Sequence, residues 1–381
     1  MKIDSRKIKD FFKRADIFLL AVCMICTIFG IVMIYSMTSS YGWAKYVVVQ
    51  GFAMFLGIGA FVVFTVIDPD LIADKWVYLT IFNVLFIVGL IFFGKGDEVG
   101  SRAWYRFAGI GVQPSEIVKV IFIVLIAKQM ATYKEQRTLN KFPSVLKLGI
   151  HWALYFGLIT VIPNDLGSAL IFLAIFVVML ICAGIAWYWM AAAAAVVAAM
   201  IPLFWNFFLA DYQKNRILAP YIPDVVDPTG QGITWQMNLC KDALASGRWT
   251  GVGFGEGSFS QSSYNARHTD CIFASIGEEL GMVAGIIIIV LLSIIIIRCC
   301  IIGVRSGSPF GMLICFGVAT ALAFQTFINI GMCIGITPVI GITLPFFSYG
   351  GSSIVAMYAA VGLVSGVKYR PKPRQNFLQY Q

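Results

Sequence analysis

Arg267-His268-Thr269-Asp270-Cys271-Ile272-Phe273-Ala274-Ser275-Ile276-Gly277-Glu278-Glu279-Leu280-Gly281 leads without interruption into the apolar run Met282–Ile297. On insertion scales an Asp costs roughly 2.5–3.5 kcal/mol at the centre of a membrane helix, so acids in such helices face protein or a wet cavity. The stretch reads as the mouth of a membrane helix whose acids are turned away from lipid. Asp270 stands where the helix should begin, next but one to His268, one of two histidines in the chain. It is the first candidate for chemistry at a membrane surface.

Composition agrees with a membrane reading. The chain is 59% hydrophobic and 12% charged, with mean hydropathy +0.85. A soluble domain is about 45–50% apolar and about 25% charged. The length of the apolar segments indicates helices rather than a barrel. Nine cysteines do not form a disulfide framework: Cys23, Cys26, Cys182, Cys299, Cys300, Cys315 and Cys333 fall in or beside apolar runs, where cysteine packs as a small apolar residue. Cys23-x-x-Cys26 has no βαβ pattern around it, which argues against a redox motif. Cys240 and Cys271 can meet outside the membrane. Two histidines and no spaced Cys/His cluster exclude a recognisable zinc site.

Ten spans are predicted, at residues 16–37, 45–67, 75–93, 114–131, 145–163, 165–183, 186–210, 269–297, 309–335 and 345–367. Each is long enough for a hydrocarbon core of roughly 30 Å. The breaks at Pro163-Asn164-Asp165 and Gly184 are short, so nine or eleven spans are also compatible with the sequence. The expected fold is all-α: one polytopic membrane domain over 1–381, with a large loop, 211–268, between helices 7 and 8. The first apolar run is too long for a cleavable signal peptide, and no small-residue cleavage site follows it.

Orientation follows from Lys and Arg. Lys2, Arg6, Lys7, Lys9, Lys13 and Arg14 precede the first span. Lys128, Lys134, Arg137, Lys141 and Lys147 follow the fourth; Arg298 and Arg305 follow the eighth; Lys368, Arg370, Lys372 and Arg374 follow the tenth. With ten spans all lie on one side, which is therefore cytoplasmic with both termini. The net charge of +9 is thus an orientation signal, helped by anionic membrane lipid, and no nucleic-acid partner is expected. Residues 94–113, the 163–165 break and the 211–268 loop fall outside. A loop as long as 211–268 is uncommon without a function, and Trp235–Leu244 reads as a short amphipathic helix lying on the outer leaflet.

Each polar candidate has a plain reading and a functional one. Thr269 or Asp270 can cap the eighth span; Asp270 can also act as a general base. Glu116 and Lys119, three residues apart on one helix face in Gln113-Pro114-Ser115-Glu116-Ile117-Val118-Lys119, can form a structural ion pair or line an interior polar cavity. Trp104 can belong to an interfacial aromatic belt or form a platform for a sugar ring, with Arg102 or Arg106 near phosphate. Asp165 caps the sixth span on either reading. Arg216 and Arg248 are solvated loop charges or anion contacts. Gly251-Val252-Gly253-Phe254-Gly255-Glu256-Gly257 imitates a dinucleotide fingerprint, but no strand precedes it and no βαβ unit follows, so it is read as a close-packing loop. Ser348 and Ser352, in Pro345-Phe346-Phe347-Ser348-Tyr349-Gly350-Gly351-Ser352-Ser353, open the last span with small residues that permit close helix approach and can line a cavity.

Taken in order, these residues resemble the SEDS family (shape, elongation, division and sporulation; the RodA, FtsW and SpoVE group) over nearly the whole chain. The resemblance rests on Trp104, Gln113-Pro114-Ser115-Glu116 with Lys119, and Asp165-Leu166-Gly167-Ser168-Ala169. It continues through Arg216-Ile217, Asp227-Pro228, Ser246-Gly247 and Gly251-x-Gly253. His268-Thr269-Asp270, Gly277-Glu278-Glu279-Leu280-Gly281, Asn329-Ile330-Gly331-Met332 and Leu344–Ser353 complete it.

The resemblance implies a ten-helix peptidoglycan glycosyltransferase of the plasma membrane. Such an enzyme polymerises lipid II onto an undecaprenyl-pyrophosphate-linked glycan, beside a class B penicillin-binding protein. Asp270 matches the family's essential acid and Trp104 a functionally important aromatic. His268, Glu116, Lys119, Asp165, Arg216, Arg248, Ser348 and Ser352 are the expected substrate-binding residues. A divalent cation, Mg or Mn, is an option, with no cofactor certain. The chain departs from the pattern at Ala266, where the family usually has Glu, at Cys271, where Phe is usual, and at Asn164, where Pro is usual. Two other readings are a flippase for a lipid-linked precursor and a non-catalytic scaffold of a wall-synthesis complex. The first fits buried charges and broken helices; the second gains from Ala266.

Overall fold

In the computed structural model, residues 11–370 are described, apart from 40–41, 96–101, 108–109, 210 and 263. Lys2, Arg6, Lys7, Lys9, Lys372 and Arg374, which entered the orientation argument, lie outside the described residues. The main helices are α1 (Ile17–Thr38), α2 (Trp43–Val66), α3 (Trp76–Val88), α4 (Pro114–Glu135), α5 (Phe142–Val161), α6 (Leu166–Ala183), α7 (Trp187–Leu203), α8 (Asp211–Leu218), α9 (Trp235–Gly247), α10 (Ile272–Arg305), α11 (Pro309–Ile334) and α12 (Gly351–Tyr369). A two-stranded antiparallel hairpin, β1 (Tyr105–Phe107) and β2 (Ile110–Val112), precedes α4.

Nine helical segments among the described residues are long and apolar enough to cross a membrane. The span of the sequence reading that is not among them is the fourth, α4. It carries Glu116, Lys119 and Lys128, which lower its hydropathy, but Glu116 and Lys119 are buried in the protein rather than turned to lipid. The chain is a multi-pass membrane protein. Its interior is built from α4, α6, α11 and α12, with α12 packed most extensively on α2. There Gly57, Gly362 and Gly366 let the two helices touch: a Cβ on Gly362 would sit 2.8 Å from the Phe61 carbonyl oxygen. Close backbone approach of this kind replaces the hydrophobic drive that lipid removes. By contrast, none of the residues of α7 is buried.

The loops gather at two ends. At one end Asp16, fully buried, accepts from Arg298 (2.8 Å to Nη2) and Lys368 (3.1 Å), joining the start of α1 to α10 and to the last turn of α12. The first and last spans therefore begin and finish at the same end, as an even number of crossings requires. Lys128–Asp70 (3.0 Å) and Arg370–Asp68 (3.5 Å) lie there too. The opposite end collects the hairpin, α9, the approach to α10 and the 338–350 segment.

The eighth span departs from the sequence reading. It runs over Ile272–Arg305 and is broken at Gly281, whose φ of 76° and ψ of −178° are not helical. The break interrupts the ladder within a helix that has no water to replace it. The preceding loop supplies the missing partners. Val252 and Gly253 N–H donate to the Glu278 and Glu279 carbonyls (2.9 and 3.1 Å), while Met282 and Val283 N–H donate to the Arg248 and Trp249 carbonyls (2.8 and 3.3 Å). The glycine-rich run is thus a strap across the break. A Cβ on Gly251 would collide with the Glu279 carbonyl, and one on Gly281 with Trp249. α9 forms where an amphipathic helix was expected, and it crosses α10 where Gly247 meets Gly277.

Candidate functional site

Asp270 occupies a turn between a 3-10 helix, Asn265–His268, and the start of α10. Neither Thr269 nor Asp270 caps α10: the N-cap is Cys271, with no side-chain cap bond. The capping role expected of them is withdrawn, because the chain makes a further turn before the helix begins. Cys271 and Thr269 N–H both donate to the Ala266 carbonyl (2.9 and 3.2 Å). Asp270 is partly exposed, and a Cβ on Gly341 (φ 65°) would sit 3.4 Å from its Oδ2.

The surrounding main chain is tightly held. Asn329 Nδ2, fully buried near the end of α11, donates to the carbonyls of Asp270 (2.8 Å) and Ile342 (2.7 Å). Ser348 Oγ donates to the Thr269 carbonyl (2.6 Å) and accepts from Leu344 N–H (2.8 Å). Tyr349 N–H donates to the His268 carbonyl (2.9 Å). Gln50 of α2 clamps the same segment, donating to the Ser348 carbonyl (2.9 Å) and accepting from Gly350 N–H (3.1 Å). Two helices and the 338–350 segment thus hold the main chain that carries one carboxylate.

His268 supports this frame. Its ring is buried against Tyr46 and Tyr349, with centroids 5.1 and 5.5 Å away. Burial, reinforced by the Arg267 cation, holds its pKa down at about 4, so the ring is neutral at pH 7. Arg267 donates to the carbonyls of Tyr264 (2.7 Å) and Met37 (3.2 Å).

A second polar group lies inside the bundle. Lys119 Nζ is 2.9 Å from Glu116 Oε1, both buried, as the i,i+3 spacing predicted. Glu116 also accepts from Ser353 (3.2 Å) and Gln325 (3.4 Å), and Ser353 meets Thr343 at 3.3 Å. Asp165 caps α6, accepting from Ser168 N–H (2.9 Å) and Oγ (2.7 Å), and takes a bond from Gln113 Nε2 (3.0 Å). Burial raises its pKa, with the Glu116 charge a further contribution. Gln113 N–H donates to Ser352 Oγ (3.1 Å). Two adjoining clusters result: Asp165, Gln113 and Ser352 link α6 to the starts of α4 and α12, and Glu116, Lys119, Gln325 and Ser353 link α4 to α11 and α12.

The remaining candidates stand apart. Trp104 is half-buried and packs over Gly111 of the hairpin, where a Cβ would meet its ring at 3.0 Å. Arg216 in α8 and Arg248 after α9 are exposed, and no contact among the described residues brings either guanidinium to Asp270. Glu278 and Glu279 have structural partners. Glu278 accepts from Ser258, Phe259 N–H and Ser260 (2.9–3.1 Å), and Glu279 from Ser36 (2.6 Å) and Gly255 N–H (3.2 Å). Cys240 and Cys271 do meet, together with Cys333, and all three thiols are free.

The family model described as a cell cycle protein of the FtsW, RodA and SpoVE group matches residues 16–372. The chain belongs to this family. A protein of Geobacter metallireducens named "Probable peptidoglycan glycosyltransferase FtsW" is 31% identical over 372 residues, covering 94% of this chain and 96% of that one. The "Peptidoglycan glycosyltransferase MrdB" of Escherichia coli K12 is 32% identical over 318 residues, 82% of each chain. Among solved structures, a chain of a peptidoglycan synthase complex superposes with TM-score 0.78 at 25% identity, covering 93% of this chain and 97% of that one. Thermus thermophilus rod shape determining protein RodA superposes with TM-score 0.69 at 22% identity, covering 93% and 96%, and shares the fold.

Asn329 and Gln50 were not assigned roles from sequence. The available signal was a carboxamide inside an apolar span, since such a group must find partners in the protein.

Proposed function

We propose that this family member is a peptidoglycan glycosyltransferase that polymerises lipid II on the outer face of the plasma membrane, with Asp270 as general base. The single observation that carries the reading is a partly exposed carboxylate on a main chain pinned by Asn329, Ser348 and Gln50. The names of its relatives support the reaction class. The charge pattern supports placing the Asp16 end in the cytoplasm with both termini, and the Asp270 end outside.

The incoming lipid II offers its GlcNAc 4-hydroxyl. That oxygen attacks the anomeric carbon of the growing strand, and its proton passes to Asp270. The bond from the anomeric carbon to undecaprenyl pyrophosphate breaks, the pyrophosphate leaves with the electron pair, and the configuration inverts. Positioned general-base assistance contributes about 10²–10⁴-fold. Lys119 is committed to Glu116, so Arg216 and Arg248 are the cations assigned to the leaving charge. No three His, Cys, Asp or Glu side chains converge as a metal site among the described residues. A Mg or Mn ion is commonly held by one or two carboxylates together with substrate phosphates, so Asp270 and the pyrophosphate would be the groups to hold one, and no step is routed through it. Likeness to a chain of a synthase complex supports a class B penicillin-binding protein as partner.

The test is polymer formation from lipid II by the purified chain in detergent, with and without that partner. Strands in wild type and none in Asp270→Asn are expected. Precursor movement across vesicles without any polymer would support the flippase reading instead.

A further inference from the structure

The loop that straps α10 also borders an open cleft of about 700 Å³ that the reaction at Asp270 does not use. It lies between α9 and residues 258–262 with Tyr264. α9 has two faces. Met237, Cys240 and Ala243 are buried, and Gln236 donates to Cys271 Sγ (3.2 Å), immediately beside Asp270. The other face turns Trp235, Asp242 and Ser246 to the cavity, and Ser258, Ser262 and Tyr264 complete the wall. The floor is the Glu278 carboxylate, whose bonds to residues 258–260 give the wall its shape.

Its chemistry narrows the ligand. Trp235 is 42% exposed and meets Tyr264 edge-on, with centroids 5.1 Å apart and planes at 87°. An edge-on pair leaves ring face available. Hydroxyls and two carboxylates, Asp242 and Glu278, surround the aromatic pair, and no Lys or Arg is among the lining residues. A pyrophosphate or a polyanion would be repelled. A neutral ligand with flat C–H faces and many hydroxyl and amide N–H donors fits, and the volume lies in the usual range for binding cavities, about 300–1,000 Å³. A β-1,4-linked amino-sugar chain has those properties.

We propose that this cavity is a saccharide subsite that holds the sugar backbone of the glycan strand on the far side of α9 from Asp270. The proposal rests on the glycosyl-transfer reading and deepens it. A strand retained there between additions stays with the enzyme, so the cavity governs product length.

The probe is chitotetraose, the neutral β-1,4 tetramer of N-acetylglucosamine, titrated into the full-length chain and followed by tryptophan fluorescence. Lipid II polymer lengths are measured in parallel. Saturable binding is expected in wild type. Trp235→Ala should weaken it about tenfold, as loss of an aromatic contact implies, and should shorten the strands. Ser246→Tyr, at an exposed position that tolerates a side chain, should do the same by filling the space. Trp249→Ala, an exposed tryptophan of the same loop outside the cavity, should change neither. The proposal is overturned if wild type shows no saturable binding, or if Trp235→Ala and Ser246→Tyr both match wild type in affinity and strand length. It is also overturned if bound penicillin-binding protein, rather than sugar, occupies the cavity and excludes chitotetraose. A wild type that binds chitotetraose yet makes no polymer would sink the glycosyl-transfer reading and leave the saccharide site standing.

Discussion

Asp16 and Asp270 each precede a membrane helix, at opposite ends of the bundle, and the protein treats them differently. Asp16 is fully buried; its oxygens accept from Leu19 N–H, Arg298 and Lys368. Those contacts hold its pKa below the usual carboxylate value, against the burial that would raise it. Asp270 is partly exposed, and the contacts that position it act on its main chain. Saturating a carboxylate with cations and N–H donors makes it a structural rivet. Fixing the backbone beneath a partly exposed carboxylate holds that carboxylate where substrate can reach it.

The strongest way to break that contrast is Asp270→Asn. Polymerisation should fall about 10²–10⁴-fold with the thermal midpoint unchanged; a variant that unfolds instead would make Asp270 another rivet. Asp16→Ala is the converse. It strands two partly exposed cations and should cost about 3 kcal/mol, less than the full loss of a deeply buried pair, read as a lower thermal midpoint in detergent. Folded protein should retain its turnover.

Acid sharpens the comparison. The folded pKa of His268 is about 4, below the unfolded value of about 6.5. Its neutral form favours the fold, so that contribution is complete above about pH 6.5 and is lost as pH falls toward about 4. By pH 5 the loss is about 2 kcal/mol, and His268→Gln should flatten this part of the profile. Least in effect, Arg216→Ala and Arg248→Ala should each lower kcat severalfold with KM little changed, as loss of a contact to the leaving charge implies. Exposed charges carry modest energies, and no change in either variant would remove the arginines from the leaving-group role.

The spans were legible because a run of apolar residues has few alternatives. Even α4, diluted by Glu116, Lys119, Lys128, Lys134 and Glu135, could be read from its apolar stretch, and the spacing of Glu116 and Lys119 gave their pairing. The cap at Asp165 was equally local. The break at Gly281 was not legible, since hydropathy averages over it and the partners that satisfy it are some thirty residues upstream. Asn329 and Gln50 stand out as carboxamides in apolar spans, but their partners are hidden for the same reason: each secures segments from different parts of the chain. Glu278 and Glu279 read as acids turned away from lipid, but the serines and amides that bind them come from Ser36 and residues 255–260, which the sequence does not place beside them.

The strap across the Gly281 break has a mechanical consequence. Lifting it would bare two amides and two carbonyls in an apolar setting, at several kcal/mol for each unsatisfied group. The strap bonds residues on both sides of Gly281, so the loop and the two halves of α10 are held as one piece, and the break bends the helix without becoming a hinge.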